Sequence, residues 1–401
     1  MERPKRCTAF GKVPLALEAE RHCVLNEKKP RSGNHYNKQT LGMDMSGTGK
    51  RDGRGSSVKK TACLTALVFS LSAAIGSAVR AQDAESFFAG KTITLVVPSG
   101  AGGGYDTYAR TLGRHLPRHI PGHPQIVVQN VPGGGGMVAA NNLFNVAPKD
   151  GTAIAMLASS SFLVAALGER LAKFDNLKFT PIGNMSEEFD TCSVWHTSGI
   201  RDARDFLTKE VIIGSEGIGS NSQTFPMGMN EELGAKLKII PGYGGTQARA
   251  TAMERGELQG ACGIFVSTLS SLFERQLGDG TLRVVLQMGL SRSPKYKDVP
   301  NALELAPDES SKASLALMFA QLALGRPIMA PPGLPKERAD MLSDAFAETM
   351  KDPEFLADAE KMKIDTRWFG PARMTEVLAQ MNAAPEPVKA RVRKMLNIAQ
   401  P

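Results

Sequence analysis

Cysteine is scarce in this chain: there are five in 401 residues, and three of them, Cys7, Cys23 and Cys63, precede residue 82. Only Cys192 and Cys262 remain beyond it. A pair is open to them in an oxidising compartment, but separation in sequence does not say whether two Cα atoms come close enough to bridge. We read them as two buried free thiols. Long apolar runs are lacking as well. The run at 62–75 is about 14 residues, short of the roughly 20 that span a bilayer as a helix. Catalytic and nucleotide signatures are also missing. No Gly-x-Ser-x-Gly elbow is present. Gly49-Lys50 lacks both the upstream glycine and the following hydroxyl residue of a phosphate-binding loop. His115, His119 and His123 are spaced by four, yet Pro117 and Pro121 interrupt any common helix face, and no His-Glu-x-x-His pattern occurs. Neither a metal nor a cofactor is expected.

What is present begins in the wrong place. Lys59 and Lys60 precede the 62–75 run, and Val79-Arg80-Ala81 puts small residues where a signal peptidase needs them. That is the layout of a secretory signal peptide over 59–81, with cleavage expected after Ala81. Residues 1–58 are then either a mis-assigned upstream extension, with the start at Met43, Met45 or position 58, or a disordered segment, since they are polar and lack apolar periodicity. Charge agrees with the cut. Residues 1–81 hold 15 Lys/Arg against 6 Asp/Glu, a net +9, so the whole-chain +8 leaves the remainder at −1. The basic character therefore belongs to the leader, and it is no argument for a nucleic-acid partner.

Residues 82–401 alternate short apolar runs with helical patterns, the signature of mostly parallel α/β sheets. Thr92 to Val97, Gln125 to Gln129 and Thr152 to Leu157 read as strands, with helices between them. A second unit begins near Cys192, with strands at Val211 to Gly214 and Leu237 to Ile240. The polar stretch from Ser291 to Ser314 reads as an irregular crossing, and the chain beyond Lys336 reads as helices. The expected division is 82–191 with 326–401 as one lobe and 192–325 as the other.

Three loops carry polar chemistry. Gly100-Ala101-Gly102-Gly103-Gly104 lies between a strand and a helix, where backbone N–H groups approach a ligand without Cβ interference and the helix N-terminus favours an anion. Its glycine spacing misses the dinucleotide fingerprint, because Tyr105 or Thr107 stands where the third glycine is needed. Gly133 to Gly136 and Gly214 to Ser222 repeat the pattern of small residues at a helix start. In parallel units such loops collect at the C-terminal ends of strands, where open sheets bind ligands.

Several ordered landmarks carry a specific resemblance. Val96-Val97-Pro98 leads into Gly102-Gly103-Gly104-Tyr105-Asp106 and Ala109-Arg110; then come Asn130-Val131-Pro132 before Gly133 to Gly136, and Ala147-Pro148-Lys149-Asp150-Gly151-Thr152. Gly242-Tyr243-Gly244-Gly245, Arg255-Gly256-Glu257-Leu258, Asp298-Val299-Pro300 and Ala330-Pro331-Pro332-Gly333-Leu334-Pro335-Lys336 follow. Over nearly all of residues 86–385 the chain resembles the receptors of tripartite tricarboxylate transporters, also called Bug-type periplasmic solute-binding proteins. The resemblance implies an α/β, two-lobed type II periplasmic binding fold with a hinge between lobes. It also implies a monomer that captures a small organic acid for membrane transporter subunits or a sensor kinase. By position it places Ser99, Gly102, Gly103, Tyr105, Asp106, Ser159 and Ser160 at the ligand from the first lobe. From the second lobe it places Ser215, Gly219, Ser220, Asn221, Tyr243, Gly244 and Gly245.

This sequence departs from the family pattern at three points. Ser99 replaces a large apolar residue, Gly263 stands where an acid is usual, and Arg326 replaces an aromatic ahead of the Ala-Pro-Pro-Gly stretch. Asp106 has two open readings, a partner for the helix dipole or a carboxylate that steers ligand choice. An enzyme of small organic acids is the competing function, without a credible nucleophile, base or metal set. The effector domain of a transcription regulator is a third; export and the lack of a helix-turn-helix segment argue against it.

Overall fold

The computed structural model describes residues 87–399. The expected leader at 59–81, the cleavage site and residues 1–58 lie outside them. Ten strands form two five-stranded sheets of the same order. We number the strands β1 (Thr92–Val97), β2 (Gln125–Asn130), β3 (Ala153–Met156), β4 (Thr180–Asn184), β5 (Asp190–Trp195), β6 (Glu210–Ser215), β7 (Lys236–Pro241), β8 (Gly260–Phe265), β9 (Leu282–Met288) and β10 (Pro327–Ala330). The first sheet runs β2-β1-β3-β10-β4 and the second β7-β6-β8-β5-β9. Each is built in the same way: three parallel strands joined by helical crossovers, then two antiparallel pairings.

The sheets are thus mixed rather than mostly parallel, and the cause is the connection between lobes. The chain leaves the first sheet after β4 and enters the second as β5; it leaves the second after β9 and returns as β10. Each arriving strand slots fourth in its new sheet, antiparallel to both neighbours. The two crossing segments bond to each other. Met185 N–H donates to Arg326 O at 3.1 Å, Gly325 N–H to Ser186 O at 3.1 Å and Glu188 N–H to Leu322 O at 2.9 Å. That paired crossing is the hinge.

Strand β1 alternates buried Ile93, Leu95 and Val97 with less buried residues, as a strand with one core face should. The helix Gly104–His115 lays Tyr108 and Leu112 on that face, and Phe346 of the helix Lys336–Thr349 joins them from the C-terminal region. Strand β4 is hidden from periodicity by Pro181 and Gly183. It sits at a sheet edge, where proline is tolerated. Gly183 is required there because a Cβ would fall 2.2 Å from the Phe346 ring.

The stretch 291–314 is not wholly irregular, since Glu309–Ala320 is a helix. The C-terminal segment divides. Helices through Asn382 pack on the first sheet's core, but the helix Glu386–Met395 sets Val392 and Met395 against Phe225, Met229 and Leu315 of the second. Arg391 there grips the buried Glu232 carboxylate with two hydrogen bonds, at 2.7 and 2.6 Å. The two-thiol reading is also corrected. Cys192 and Cys262 stand opposite each other on the antiparallel strands β5 and β8, with Cα atoms 4.0 Å apart, and form a disulfide. Cross-strand register, invisible in the sequence separation, brings them together.

Candidate functional site

The loops after β1 and β6 face each other across a cleft lined by Ser99, Gly104, Tyr105, Gly135, Ser160, Glu216, Ser220, Asn221, Ser222, Thr246, Gly263, Phe265, Thr268 and Arg326, with Pro98 and Ala158. It encloses ≈ 50 Å³, about four waters' worth of space, since one water needs roughly 10–15 Å³. The lobes are closed on it. Gly100 N–H donates to Gly244 O at 3.0 Å, and a Cβ on Gly135 would lie 2.3 Å from the Gly219 carbonyl carbon. Glycine on both rims is what lets the backbones approach this closely.

Of the residues expected from the sequence, Ser99, Tyr105, Ser160, Ser220 and Asn221 line the cleft. Gly244 meets the opposite rim through its carbonyl, and Gly245 caps the helix Thr246–Glu254 beside Gly100. Gly103 caps the helix Gly104–His115 and lies behind the lining. Gly219 packs against Gly134 and Met137 rather than the cleft. Ser159 is buried, and its N–H reaches the Tyr105 hydroxyl at 3.4 Å. Ser215 spends its hydroxyl on Gln223, at 2.6 Å, and on Gly217 N–H, at 3.0 Å. Tyr243 lays its ring against Gly214 and Leu258 in the second lobe's packing, away from the cleft lining.

Asp106 sits in the first turn of the helix Gly104–His115, where the helix-dipole reading puts it, and is not among the residues that line the cleft. Its carboxylate accepts from Gly102 N–H at 2.9 Å, from Asn130 Nδ2 at 2.9 Å and from Arg110 Nε at 3.0 Å, so it ties the glycine loop to its own helix and to the end of β2. Burial pushes this carboxyl up, but the Arg110, Gly102 and Asn130 hydrogen bonds together hold it below the usual range. Gly102, at φ +78°, points its N–H into this tie and not toward the cleft.

The charged groups of the cleft were not in the expected set. Arg326 is 1% exposed and stacks its guanidinium 4.5 Å from the ring centres of Tyr105, Tyr108 and Phe265. Its Nη2 donates to Thr268 Oγ1 at 3.0 Å and its Nη1 to Gly325 O at 3.2 Å, and it lies 3.8 Å from Glu188. The Nε–H has no partner among the described residues. Glu188 is itself held by Ser186 and Ser267; burial raises its carboxyl, against the pull of Arg326. In the second lobe, Glu216 pairs with fully buried Arg249 at 2.8 Å, and Arg249 also donates to the carbonyl of Cys262. Asn221 Nδ2 donates to Asp190 at 2.9 Å, leaving Asn221 Oδ1 buried without a partner among the described residues. Asp190 is pushed up to about 7 by burial, in spite of that bond, the Thr191 N–H and Arg249.

Two of the three departures, Gly263 and Arg326, were thus pointers to the charged part of the cleft. Gly263, at φ +75°, would set a Cβ 2.4 Å from Ser222 N. Phe265 and Thr268 could have been found from their place at the C-terminal end of β8.

Known proteins share both the sequence pattern and this architecture. Residues 110–386 match the sequence profile described as the tripartite tricarboxylate transporter family receptor. A UPF0065 protein from the TAR-I ttuE-ttuC' intergenic region of Agrobacterium vitis is 23% identical over 278 residues, 68% of this chain and 75% of that protein. The UPF0065 protein of Bordetella bronchiseptica is 25% identical over 268 residues, 66% of this chain and 74% of the relative. Among solved structures, the periplasmic binding protein BugD superposes with a TM-score of 0.62 at 20% identity, covering 77% of this chain and 98% of its own. MatC from Rhodopseudomonas palustris, with bound malate, superposes with a TM-score of 0.58 at 20% identity, covering 76% and 99%. These structures share the two-lobed fold, and the sequence profile takes in more than half of the chain. The chain belongs to the tripartite tricarboxylate transporter receptor family.

Proposed function

We propose that this chain is an exported, monomeric periplasmic receptor that closes its lobes on a small organic acid and presents it to membrane transporter subunits or a sensor kinase. The observation that carries the reading is Arg326: a guanidinium buried in the cleft lining with an N–H left over, where a ligand carboxylate would complete its partners. The helix Gly104–His115 begins at the cleft-lining residues Gly104 and Tyr105, and a helix N-terminus favours an anion on that rim. Structural relatives carry ligands of this class, malate in MatC and adipate in the R. palustris protein Rpa4515, the latter superposing with a TM-score of 0.60 at 20% identity over 77% of this chain and 98% of its own.

An enzymatic role has less support. The cleft lining includes no histidine, and the Ser220 hydroxyl is engaged by Gly217 O at 2.7 Å and Ser222 at 2.8 Å. A thermal-shift screen of organic acids tests the proposal. A true ligand at one hundred times its dissociation constant stabilises the protein by about 2.7 kcal/mol. No shift with any carboxylate, or a larger one with a nucleotide or metal ion, would sink it.

A further inference from the structure

The cleft has two chemically different ends. At one, Arg326 is the only lining cation among the described residues; the hinge and three aromatic rings fix its position, and among those residues its Nε–H has no partner. At the other, the lining offers acceptors. Glu216 is clamped by Arg249 with its side chain still 21% exposed, and Asn221 has its amide nitrogen turned to Asp190, so that its buried oxygen is the atom left over. Arg326 and Glu216 do not pair with each other; each is held by a different partner on its own side.

A second carboxylate on the ligand would meet the Glu216 carboxylate, which Arg249 holds in place, and Asn221 Oδ1, an acceptor with no donor among the described residues. Like charges placed together across a desolvated contact are rejected strongly. Buried acceptors built for a donor discriminate against analogues lacking one. We infer that this cleft selects a small monocarboxylate bearing a hydrogen-bond donor, an amide, hydroxyl or ammonium, at its far end, with Arg326 receiving the carboxylate and Glu216 with Asn221 receiving the donor. This rests on the organic-acid reading above and narrows it. It also moves to Glu216 the steering role that the sequence allowed for Asp106, which is committed to its own loop.

Calorimetry on the purified receptor with matched probes decides the matter: succinate against succinamate, 4-hydroxybutyrate and 4-aminobutyrate, and adipate against its monoamide and 6-hydroxyhexanoate. At one or both lengths the best donor-bearing monoacid should bind about a hundredfold tighter than the diacid, the scale set by a like-charge contact. Glu216→Gln should shrink that ratio about tenfold, and Arg326→Met should weaken every acid. If Arg326→Met does not fold, as judged by circular dichroism, the Glu216→Gln ratio decides alone. A diacid that binds as tightly as its monoacid partners, or a ratio that Glu216→Gln leaves unchanged, overturns the two-ended cleft and leaves the organic-acid receptor standing. If none of the acids binds, both readings fall.

Discussion

The two lobes share a strand order, yet they are secured in different ways. The first holds its glycine loop with a surface-reaching carboxylate network, Asp106 with Arg110 and Asn130, and has no cysteine among its described strands. The second is crosslinked by Cys192–Cys262 directly behind the cleft and buries a fully inaccessible Arg249 and Asp190 next to the staple. One topology can therefore be made rigid either by a polar clamp at its rim or by a covalent tie in its sheet. The lobe that buries Arg249 and Asp190 within its packing carries the tie.

Breaking the tie should give the largest effect. On the chain-entropy account a disulfide closing a 70-residue separation contributes about 4 kcal/mol. Cys192→Ala with Cys262→Ala should lower the stability of the second lobe by about 2–5 kcal/mol. The two tryptophans allow this to be seen lobe by lobe, because Trp195 lies in β5 and Trp368 packs on Phe346 beneath the first sheet. In urea, Trp195 fluorescence in a Trp368→Phe background should move to lower denaturant, with Trp368 in the reciprocal background moving much less. Equal movement of the two would mean that the lobes unfold as one unit and that the contrast is only structural.

A smaller effect is expected where the lobes meet. Gly135 has φ +65° and faces the Gly219 backbone, so Gly135→Ala opposes closure without touching either core. We expect about tenfold weaker ligand binding, or ~1.4 kcal/mol, with small-angle scattering showing a more open molecule. Unchanged affinity would mean that this rim contact does not restrain closing.

A pH series sharpens the contrast in electrostatic sign. Asp190 has its native carboxyl raised to about 7 from an ordinary 3.8. Between those values the unfolded chain is ionised while the native state retains its proton, so stability falls as pH rises through that window and levels off above it. Asp106 is lowered, so its contribution is fully present above its ordinary value and is lost as pH falls through the lower native one. Asp190→Asn should therefore flatten the decline between about pH 4 and 7 in urea midpoints. A decline that persists would assign it to other groups.

Much of this was legible beforehand because it is local. The apolar alternation of β1, the glycine loops and the helix Pro371–Asn382 follow from spacing within a dozen residues, and the ordered landmarks gave the fold. Strands β4 and β10 were not legible. Proline and glycine interrupt the first, and the second is four residues long; their pairing is fixed by a neighbour some 150 positions away.

The sequence by itself determined the α/β class through periodicity and, through the family resemblance that its ordered landmarks carry, the two-lobed fold and five of the side chains that line the cleft. It also flagged Arg326 and Gly263 as departures without saying what they did. Only the tertiary structure decided that Cys192 meets Cys262, that Asp106 serves its own loop, that Tyr243 packs inside the second lobe, and that Arg326 and Glu216 face one cleft. Apart from Asp106, whose Gly102 and Arg110 partners are four residues away, those outcomes depend on register or packing between segments far apart in the chain, and the free energy that fixes them comes from burial and partner choice rather than from any local preference.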